Sequence, residues 1–485
     1  MKESTKNILH WGVLYLISAG GILLIPNAIY WDDWILYRAN PSTLLETFRQ
    51  AGSMFNLAGY LHIALLEVGP WLYKVLTFAL MFASGLSVNL IVKRHTSVST
   101  EARFYLVLLF LVLPFNIARV ALIDFPYTLF YFLFFLAWLL MDRFRVIALG
   151  LFFLSFNTNS LLVFYALPIL DMFYRGGHLS DFRQALRFCV HRIDFMLLPF
   201  TFFFIKIFFF APSGMYEGYN QSYSLINLVY LPVFQLYDLV KTDVSVGLAL
   251  FFSLLSFFLL KNRTEAAIKK NKTPREMLVL GLVACLIGAL PYWVVGLLPT
   301  FGGWSSRHQL LLPLGGALVI ASIYSFGQFA GRAVYISTII GISLAMNVSA
   351  YSALFGDWQK QKQLIRLFAE SQEIKRAGLV LIEDKTEGIN ALNRKYRLYE
   401  WNGLLEVAFG RQTHFAIQPS EYDGYVAGKF DAYFSEENKA GLFRKDAGLP
   451  QVLVTIEVAE PERFSEKIIS RFFPKLSLSV SVFNR

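Results

Sequence analysis

Long apolar runs, separated by short polar segments, fill residues 1–353 of the chain. Runs of about 18 to 25 apolar residues are typical of membrane-spanning helices, because that length crosses the hydrocarbon layer. The pattern predicts a polytopic α-helical membrane domain with about eleven membrane helices, two of them short. The predicted spans are 8–26, 70–92, 103–118, 125–141, 146–156, 160–174, 193–211, 244–260, 277–298, 310–329 and 333–353.

The two short helices belong to the stretch 146–174, which is too short for two full crossings and too long for one. Both of its flanks, DRFR and YRGGHLSDFRQALR, are basic, so we expect them on the same side of the membrane. Two short helices hinged at NTNS, residues 157–160, satisfy this condition. We expect their tip to line a cavity within the protein, because short helices do not cross the bilayer alone.

The connecting segments differ in their content of Lys and Arg. One set is strongly basic, as at residues 93–94, 143–145 and 183–192, and the alternate set contains few basic residues. Because basic loops remain in the cytoplasm, we predict a cytoplasmic N-terminus and an outer location for the segment that follows the first span. The basic residues of the predicted outer segments are Arg38, Arg49, Arg119, Lys241 and Arg307.

Residues 354–485 have a different pattern, with many charges and no long apolar run. DWQKQKQLIRLFAESQEIKRAG has the periodicity of an amphipathic helix. LVLIED, VLVTIEVA and LSLSVSVF have the composition of short strands, and the last alternates cleanly. We therefore predict a small soluble α/β domain outside the cytoplasm.

Composition agrees with a membrane protein and argues against a nucleic-acid partner, a disulfide framework and a cysteine metal site. The chain is 56% hydrophobic and 16% charged, whereas a soluble protein is about half apolar and about a quarter charged. The net charge of +10 is explained by cytoplasmic loops, so we expect no nucleic-acid partner. Cys189 and Cys285 have neither a disulfide pattern nor metal-ligand spacing.

The stretch YWDDWILYR, directly after the first apolar run, places Asp32 and Asp33 between two tryptophans. We expect both carboxylates at the outer surface, in contact with water. The following segment, PSTLLETFRQAGSMFNLAGYLHIALLE, has Thr43 as a candidate N-cap and Glu46 at the spacing of a capping box. It predicts a helix lying flat in the membrane interface, or an ordinary packed loop helix.

Further polar and aromatic side chains fall at the outer ends of spans or in outer loops. Snorkelling is an alternative explanation for Lys206, interfacial anchoring for Arg307 and His308, and an aromatic belt for the tyrosines of loop 212–243. The candidate site residues besides the aspartate pair are Arg38, Arg119, Asp124, Asn157, Asn159, Lys206, Tyr216, Tyr219, Arg307 and His308.

Carboxylates beside cations at the outer face suit a transfer reaction. A carboxylate can act as the general base that removes a proton from an attacking hydroxyl. Cations can hold the phosphate of a donor and stabilise the charge that develops as the bond breaks. ATP and nucleotide sugars are not available outside the cytoplasm, so the donor must be delivered in the membrane, for example as a polyprenyl-phosphate sugar.

The sequence resembles the GT-C superfamily of membrane glycosyltransferases, which have an acidic pair in the first outer loop. The predicted interfacial helix, the pair of short helices and the arginine in SSRHQLLLPLG add to the resemblance, and DDWILYR is most like bacterial glucosyltransferases that modify O-antigen. The resemblance covers mainly residues 1–175 in arrangement, and SSRH more weakly. It implies an enzyme of the bacterial inner membrane that uses a polyprenyl-phosphate sugar and a lipid-linked or surface glycan as acceptor.

The resemblance implies that Asp32 or Asp33 corresponds to the catalytic acid pair of the family. Our hypothesis for the site adds the chemistry of carboxylates and cations to this. One aspartate would act as the base, and the other would orient it or contact the acceptor. Arg38, Arg119 and Arg307 would hold the donor phosphate, with Lys206 and His308 as second choices. The residues expected to line the cavity or contact the acceptor are Asp124, Asn157, Asn159, Tyr216 and Tyr219. No cofactor is indicated, although an Asp-Asp pair could bind a divalent cation.

Two alternatives to glycosyl transfer are a transporter or flippase, and an enzyme of the same class that catalyses a different reaction. A transporter or flippase is expected to carry paired charges inside its spans, whereas here the charges crowd towards one face. A polymerase or ligase of lipid-linked glycans would be an enzyme with the same kind of donor and a second large polysaccharide site, which a sequence does not reveal.

Overall fold

The computed structural model describes residues 2–37, 39–95, 98–176, 182–218, 224, 226–242, 244–264, 274–326, 331–391, 394–410, 414–431, 450–458 and 473–483. Within these ranges the protein is largely helical, with one four-stranded sheet near its C-terminus. The α-helices in chain order are α1 Lys2–Ala19, α2 Asp33–Tyr37, α3 Pro41–Gln50, α4 Leu57–Val68, α5 Pro70–Val92, α6 Thr100–Val112, α7 Phe125–Leu140, α8 Arg145–Ser155, α9 Ser160–Phe164, α10 Ala166–Arg175, α11 Phe182–His191, α12 Ile193–Phe209, α13 Asn227–Lys241, α14 Val246–Thr264, α15 Pro274–Val294, α16 Leu312–Phe326, α17 Arg332–Glu370, α18 Gln372–Arg376, α19 Leu398–Phe409 and α20 Tyr422–Val426. The strands are β1 Leu379–Asp384, β2 Phe415–Ile417, β3 Gln451–Val458 and β4 Leu476–Val482.

Several helices are long and apolar enough to cross a membrane. Four such candidates lie in the described ranges: Thr5–Leu24, Pro70–Val92, Pro274–Val294 and Arg332–Glu370. A fifth is counted if Arg183–His191 and Ile193–Phe209, bent by 63°, form one broken span. These helices indicate a multi-pass membrane protein, while the count of about eleven spans and the orientation remain predictions.

Helix α6 is the centre of the helical domain. Each of its residues from Phe104 to Val112 is at most 2% exposed, because neighbouring helices surround it on every side. The Trp11 indole N–H donates to the Phe104 carbonyl at 3.1 Å, which ties α1 to α6. The Asn347 amide donates to the Val112 carbonyl at 2.8 Å, which ties α17 to α6. Because α6 is fixed in this way, the loop that follows it, residues 113–124, begins at a fixed position.

Residues 41–68 form two helices rather than one continuous helix. The side chain of Asn40 accepts a hydrogen bond from the Thr43 N–H at 2.8 Å, so Asn40 is the N-cap and the prediction of Thr43 was wrong. The asparagine oxygen reaches the free N–H groups of the first turn, as N-caps do. The chain then turns through Asn56, which has a left-handed backbone (φ +54°), before α4 begins.

The C-terminal sheet has the order β2-β1-β3-β4, with β1 parallel to both of its neighbours and β4 antiparallel to β3. The three predicted strands are confirmed as β1, β3 and β4. Strand β2 was missed because it has three residues, all buried, which is too short for a recognisable pattern.

The long helix α17 joins the helical part of the chain to the sheet. It runs without a break through the predicted domain boundary at residues 353 and 354. Its last turns carry Asp357 and Lys360, both 0% exposed, and Leu364, which packs into the core beneath the sheet. The apolar core under the sheet also includes Trp34 of α2, so the two parts of the protein share one packed cluster.

Candidate functional site

The loop that carries the aspartate pair is held in a strained conformation. Trp31 has φ +51°, and a left-handed backbone at a bulky residue costs about 1–3 kcal/mol and is common at functional sites. The Trp31 ring contacts the Trp304 ring, 5.4 Å between centroids, and the Arg394 guanidinium lies 5.6 Å from it. The Arg307 guanidinium in turn covers Trp304 at 4.1 Å. This stack fixes the backbone just before Asp32.

Asp33 is fully buried, so the expectation that both carboxylates lie at the surface was wrong for this residue. Its carboxylate accepts hydrogen bonds from the backbone N–H groups of Leu122 at 2.7 Å and Ile123 at 2.9 Å. Burial raises the pKa of Asp33 to about 6, against the opposing effects of Lys74 and these N–H donors. Asp33 therefore fastens the first loop to the segment that leads into α7.

Asp32 has a different environment from its neighbour. It is partly buried, and its Oδ1 accepts a hydrogen bond of 2.8 Å from the Tyr399 hydroxyl of α19. Asp32 and Asp33 are adjacent in the sequence, but their carboxylates have different partners. Asp33 is bound by the helical domain, and Asp32 is bound by the C-terminal domain.

Asp124 stands at the start of α7 and is buried, 2% exposed. Neither of its carboxylate oxygens has a hydrogen-bond partner within the described part of the chain. Burial raises the pKa of Asp124 well above its usual range; Arg307 opposes this rise, and Asp33 and Asp32 add to it. These electrostatic effects place all four side chains in one neighbourhood.

Further polar side chains follow Asp124 along one face of α7. Thr128 and Tyr131, one and two turns after Asp124, also have buried hydroxyl groups without a hydrogen-bond partner among the described residues. Positions i, i+4 and i+7 lie on the same face of a helix, so the three groups form one stripe. Buried polar groups in native proteins are nearly always paired, and unpaired ones call for an explanation such as a ligand site.

Arg307 and His308 lie in a short 3₁₀ helix, Trp304–Gln309, that precedes α16. The His308 ring contacts the Tyr292 ring, 5.0 Å between centroids, and the Tyr292 hydroxyl donates to Ser160 Oγ at 3.1 Å. Burial, and then the neighbouring Arg307, lower the pKa of His308 to about 3, so the imidazole is neutral at physiological pH. The ring can therefore form a hydrogen bond to a ligand but does not add a second positive charge beside Arg307.

Arg119 is buried, 4% exposed, and contacts a side chain away from the aspartate pair, that of Tyr351. Its Nε donates to the Tyr351 hydroxyl at 3.4 Å. Its Nη2 is buried without a hydrogen-bond partner in the ranges that the structure describes. The next-door residue Ala118 donates its N–H to Ser306 Oγ at 2.8 Å, which ties the Arg119 segment to the loop of Arg307.

Other predicted site residues hold a separate loop. Asn157 Oδ1 accepts the Met54 N–H at 3.1 Å, and Lys206 Nζ donates to the Gly52 carbonyl at 2.9 Å. Both side chains therefore fasten the turn between α3 and α4, and the tip of the short helices contacts this turn, while the cavity that it was expected to line stays a prediction. Asn159, at the same tip, is exposed.

Of the remaining candidates, Tyr216 is partly buried in the short 3₁₀ helix Gly214–Tyr216. The N–H of the nearby Ser213 donates to the Gln50 carbonyl at 2.9 Å, at the end of α3. Arg38 and Tyr219 lie outside the described residues.

Two residues of the site were missed by sequence analysis. Lys74, in the second turn of α5, is 1% exposed and donates to the Val120 carbonyl. The signal for it was available, because a lysine inside an apolar run is a functional candidate by default. Tyr399 had no such signal, since nothing local distinguishes it from the other tyrosines of the C-terminal domain.

Among the described residues, no group of three or more His, Cys, Asp or Glu side chains could hold a metal ion. No protein-family model, curated protein or solved structure matches the chain.

Proposed function

We propose that this protein is a glycosyltransferase of the bacterial plasma membrane. It transfers a hexose such as glucose from a polyprenyl-phosphate donor to a glycan acceptor such as O-antigen, on the outer face. The observation that carries the proposal is the unpartnered, buried Asp124 carboxylate beside Arg307 and next to the aspartate pair. A buried carboxyl group whose oxygens have no hydrogen-bond partner destabilises a protein, so its presence supports a site that is completed by a ligand.

The reaction requires one general base and one positively charged side chain that binds the donor phosphate. Asp32 takes the proton from the acceptor hydroxyl, whose oxygen then bonds to the anomeric carbon of the sugar. The bond from that carbon to the donor phosphate oxygen breaks, and the electron pair leaves with the lipid phosphate. Arg307 stabilises the charge that accumulates on this phosphate, for which its planar guanidinium is well suited.

The other residues position the reactants. Asp33 holds the segment of Leu122 and Ile123 through two backbone hydrogen bonds, and so places Asp124. Asp124, Thr128 and Tyr131 offer unpartnered oxygens along one face of α7, a suitable arrangement for the hydroxyl groups of the transferred sugar. A site built to hydrogen-bond a hydroxyl discriminates strongly against an analogue that lacks it.

The direct test uses the purified protein in detergent. With a polyprenyl-phosphate sugar and a glycan acceptor, mass spectrometry should detect the glycosylated acceptor and loss of the lipid-linked sugar. A nucleotide sugar supplied alone should not be consumed, and turnover of it would overturn the proposal. The Asp32→Asn protein is the matched control, because it keeps the shape of the site and lacks the base.

The location of the site can be tested separately in cells. A reporter that is active only outside the cytoplasm should be active when fused after residue 354 and silent when fused near residue 268. The opposite result would place the site on the cytoplasmic face, where nucleotide sugars are available, and would remove the reason for a lipid donor.

Transport is a second candidate, favoured by the buried Lys74 and its electrostatic interaction with the buried Asp33. Charge interactions of this kind inside a candidate span are expected of transporters. Reconstituted vesicles separate the two functions. A transporter would move a lipid-linked sugar between leaflets with no change in its mass, whereas a transferase would release the lipid phosphate.

A further inference from the structure

The C-terminal domain packs directly on the aspartate loop through α19. Gly403 of this helix lies against the Trp34 ring so closely that a Cβ at position 403 would overlap it. One turn earlier, the Tyr399 hydroxyl donates to Asp32 Oδ1 at 2.8 Å. The glycine and the tyrosine lie on one face of α19, and the close approach at Gly403 brings the Tyr399 hydroxyl within hydrogen-bond distance.

A buried network of charges holds the domain in this position. Lys360 Nζ, near the end of α17, bonds to Asp384 Oδ2 at 2.7 Å and to Asn390 Oδ1 at 2.6 Å. Asp357, one turn earlier, accepts the Ala391 N–H at 2.9 Å and the Tyr396 hydroxyl. Because breaking a buried ion pair leaves an uncompensated charge, these contacts strongly favour one docked arrangement.

A second set of contacts joins the aspartate loop to the segment just before α19. Arg394 pairs with Glu400 at 2.5 Å, and its guanidinium also lies 5.6 Å from the ring of Trp31. Gln361 of α17 donates to the Ile29 carbonyl at 3.0 Å, on the other side of the same loop. The aspartate loop is therefore held between α17 and the C-terminal domain.

From this packing we infer that the C-terminal domain is one wall of the transfer site, and that Tyr399 is a positioning residue for Asp32. This inference rests on the proposed function. With Oδ1 held by the Tyr399 hydroxyl, Oδ2 is the oxygen that takes the proton of the acceptor. The acceptor then approaches between α19 and the end of α7.

The tyrosine is well suited to this role. Burial, and then the neighbouring Asp32 carboxylate, raise the pKa of Tyr399, so its hydroxyl keeps its proton and remains a donor at physiological pH. A hydrogen bond to a charged group is stronger and shorter than one between neutral groups, so it holds the carboxylate in one orientation.

The test compares Tyr399→Phe with the matched control Tyr422→Phe in the full-length protein. Tyr422 belongs to the same domain, and its ring contacts Phe483 on the sheet, away from Asp32. We expect kcat of Tyr399→Phe to fall about ten- to hundredfold, with the KM for the lipid-linked donor unchanged, because a hydrogen bond to a charged group is lost. Tyr422→Phe should have the kcat and KM of the wild type.

A second measurement does not depend on activity. A water-soluble carbodiimide, followed by mass spectrometry, reports the accessibility of the Asp32 carboxylate. We expect labelling of Asp32 to be several-fold faster in Tyr399→Phe, and also in Gly403→Ala, where the new methyl group displaces α19 from Trp34. Tyr422→Phe should be labelled like the wild type.

The outcomes separate this inference from the proposed function. A wild-type kcat in Tyr399→Phe, or a raised KM with unchanged kcat, overturns the positioning role while the wild-type activity still supports glycosyl transfer. An inactive wild-type protein with faster Asp32 labelling in Tyr399→Phe overturns the proposed function and supports the structural link. An inactive wild-type protein with unchanged labelling overturns both.

Discussion

A buried carboxylate lies at each end of helix α7, and the two have opposite surroundings. Near the last turn, the Trp138 indole N–H of α7 donates at 2.8 Å to Asp171 of α10, which also pairs with His95 at 2.8 Å and Arg175 at 3.1 Å. At the start of α7, the carboxylate oxygens of Asp124 have no hydrogen-bond partner in the described ranges. Fourteen residues separate Trp138 from Asp124, which is about 21 Å along a helix.

Under the proposed function, this difference separates a carboxyl group that stabilises the structure from one that binds a ligand. The Asp171 end satisfies its carboxylate completely, so that end stabilises the helix bundle. The Asp124 end keeps an unsatisfied carboxylate, which lowers stability and has no structural benefit. Such an exchange of stability for function is common at sites that bind a ligand. Substitutions at the two ends should therefore have opposite effects on activity and on stability.

The largest effect is expected for Asp32→Asn. Asparagine keeps the size of the side chain and can still accept the Tyr399 hydrogen bond, but it cannot take a proton. A general base contributes about 10² to 10⁴ in rate, so transfer should fall by that factor at normal expression and membrane insertion. Asp33→Asn should retain more activity per folded molecule and be less stable. Wild-type transfer in both variants would exclude a catalytic pair.

Asp124→Asn tests the unpaired end of α7. Transfer should fall about ten- to hundredfold, because one oxygen that can accept a hydrogen bond from a sugar hydroxyl is replaced by an amide nitrogen that cannot. The thermal midpoint in detergent should stay the same or rise, because the substitution removes a buried ionisable group and breaks no side-chain hydrogen bond within the described ranges. A lower midpoint together with unchanged transfer would mean that Asp124 has a structural role instead.

Asp171→Asn makes the same substitution at the paired end. The amide cannot accept all three donors, so the free energy of unfolding should fall by about 1–3 kcal/mol. The transfer rate per folded molecule should equal that of the wild type. Tryptophan fluorescence during heating measures the first quantity, and the initial rate of sugar transfer measures the second. Loss of transfer in a fully folded variant would contradict the comparison.

Arg307→Lys should have a smaller effect, about a tenfold loss in kcat/KM. Lysine keeps the positive charge but loses the planar fork and the stacking on Trp304. This loss in kcat/KM should be measured with a polyprenyl-phosphate sugar as the donor. An unchanged kcat/KM would show that any cation at this position is sufficient.

The smallest effect concerns His308 and pH. Its pKa is lowered to about 3, so the folded protein holds this side chain neutral above that pH. A histidine with an ordinary pKa would change charge between about pH 5 and 8, which this one should not. His308→Asn should therefore leave the shape of the pH–rate profile in that range unchanged, whatever it does to the absolute rate. A shifted inflection would show that His308 titrates during turnover.

Part of the fold follows directly from local pattern. β1, β3 and β4 were predicted because their segments have the composition of short strands, and the residues of β4 also alternate between apolar and polar. The long apolar helices were predicted because length and composition are properties of a single segment. β2 was not, since three buried residues carry no period, and the cap at Asn40 was missed because Thr43 and Glu46 form an equally good local signature.

The candidate site could be predicted only in part. Sequence analysis selected Asp124 and Arg307, and the structure places them in one neighbourhood with Asp32 and Asp33. It also selected Asn157 and Lys206, which hold the turn between α3 and α4. Polar residues near the ends of helices look alike in a sequence, because the partner of each one lies far away along the chain.

The sequence by itself determined the helical membrane character of this protein, the strand-forming segments of its C-terminal domain and the candidate residues, because each depends on composition or on a short period. Tertiary structure decided the different roles of Asp32 and Asp33. Their side chains turn to partners about 90 and 367 residues away, at Ile123 and Tyr399. Burial, pairing and electrostatic environment depend on such distant contacts, and no local pattern specifies them.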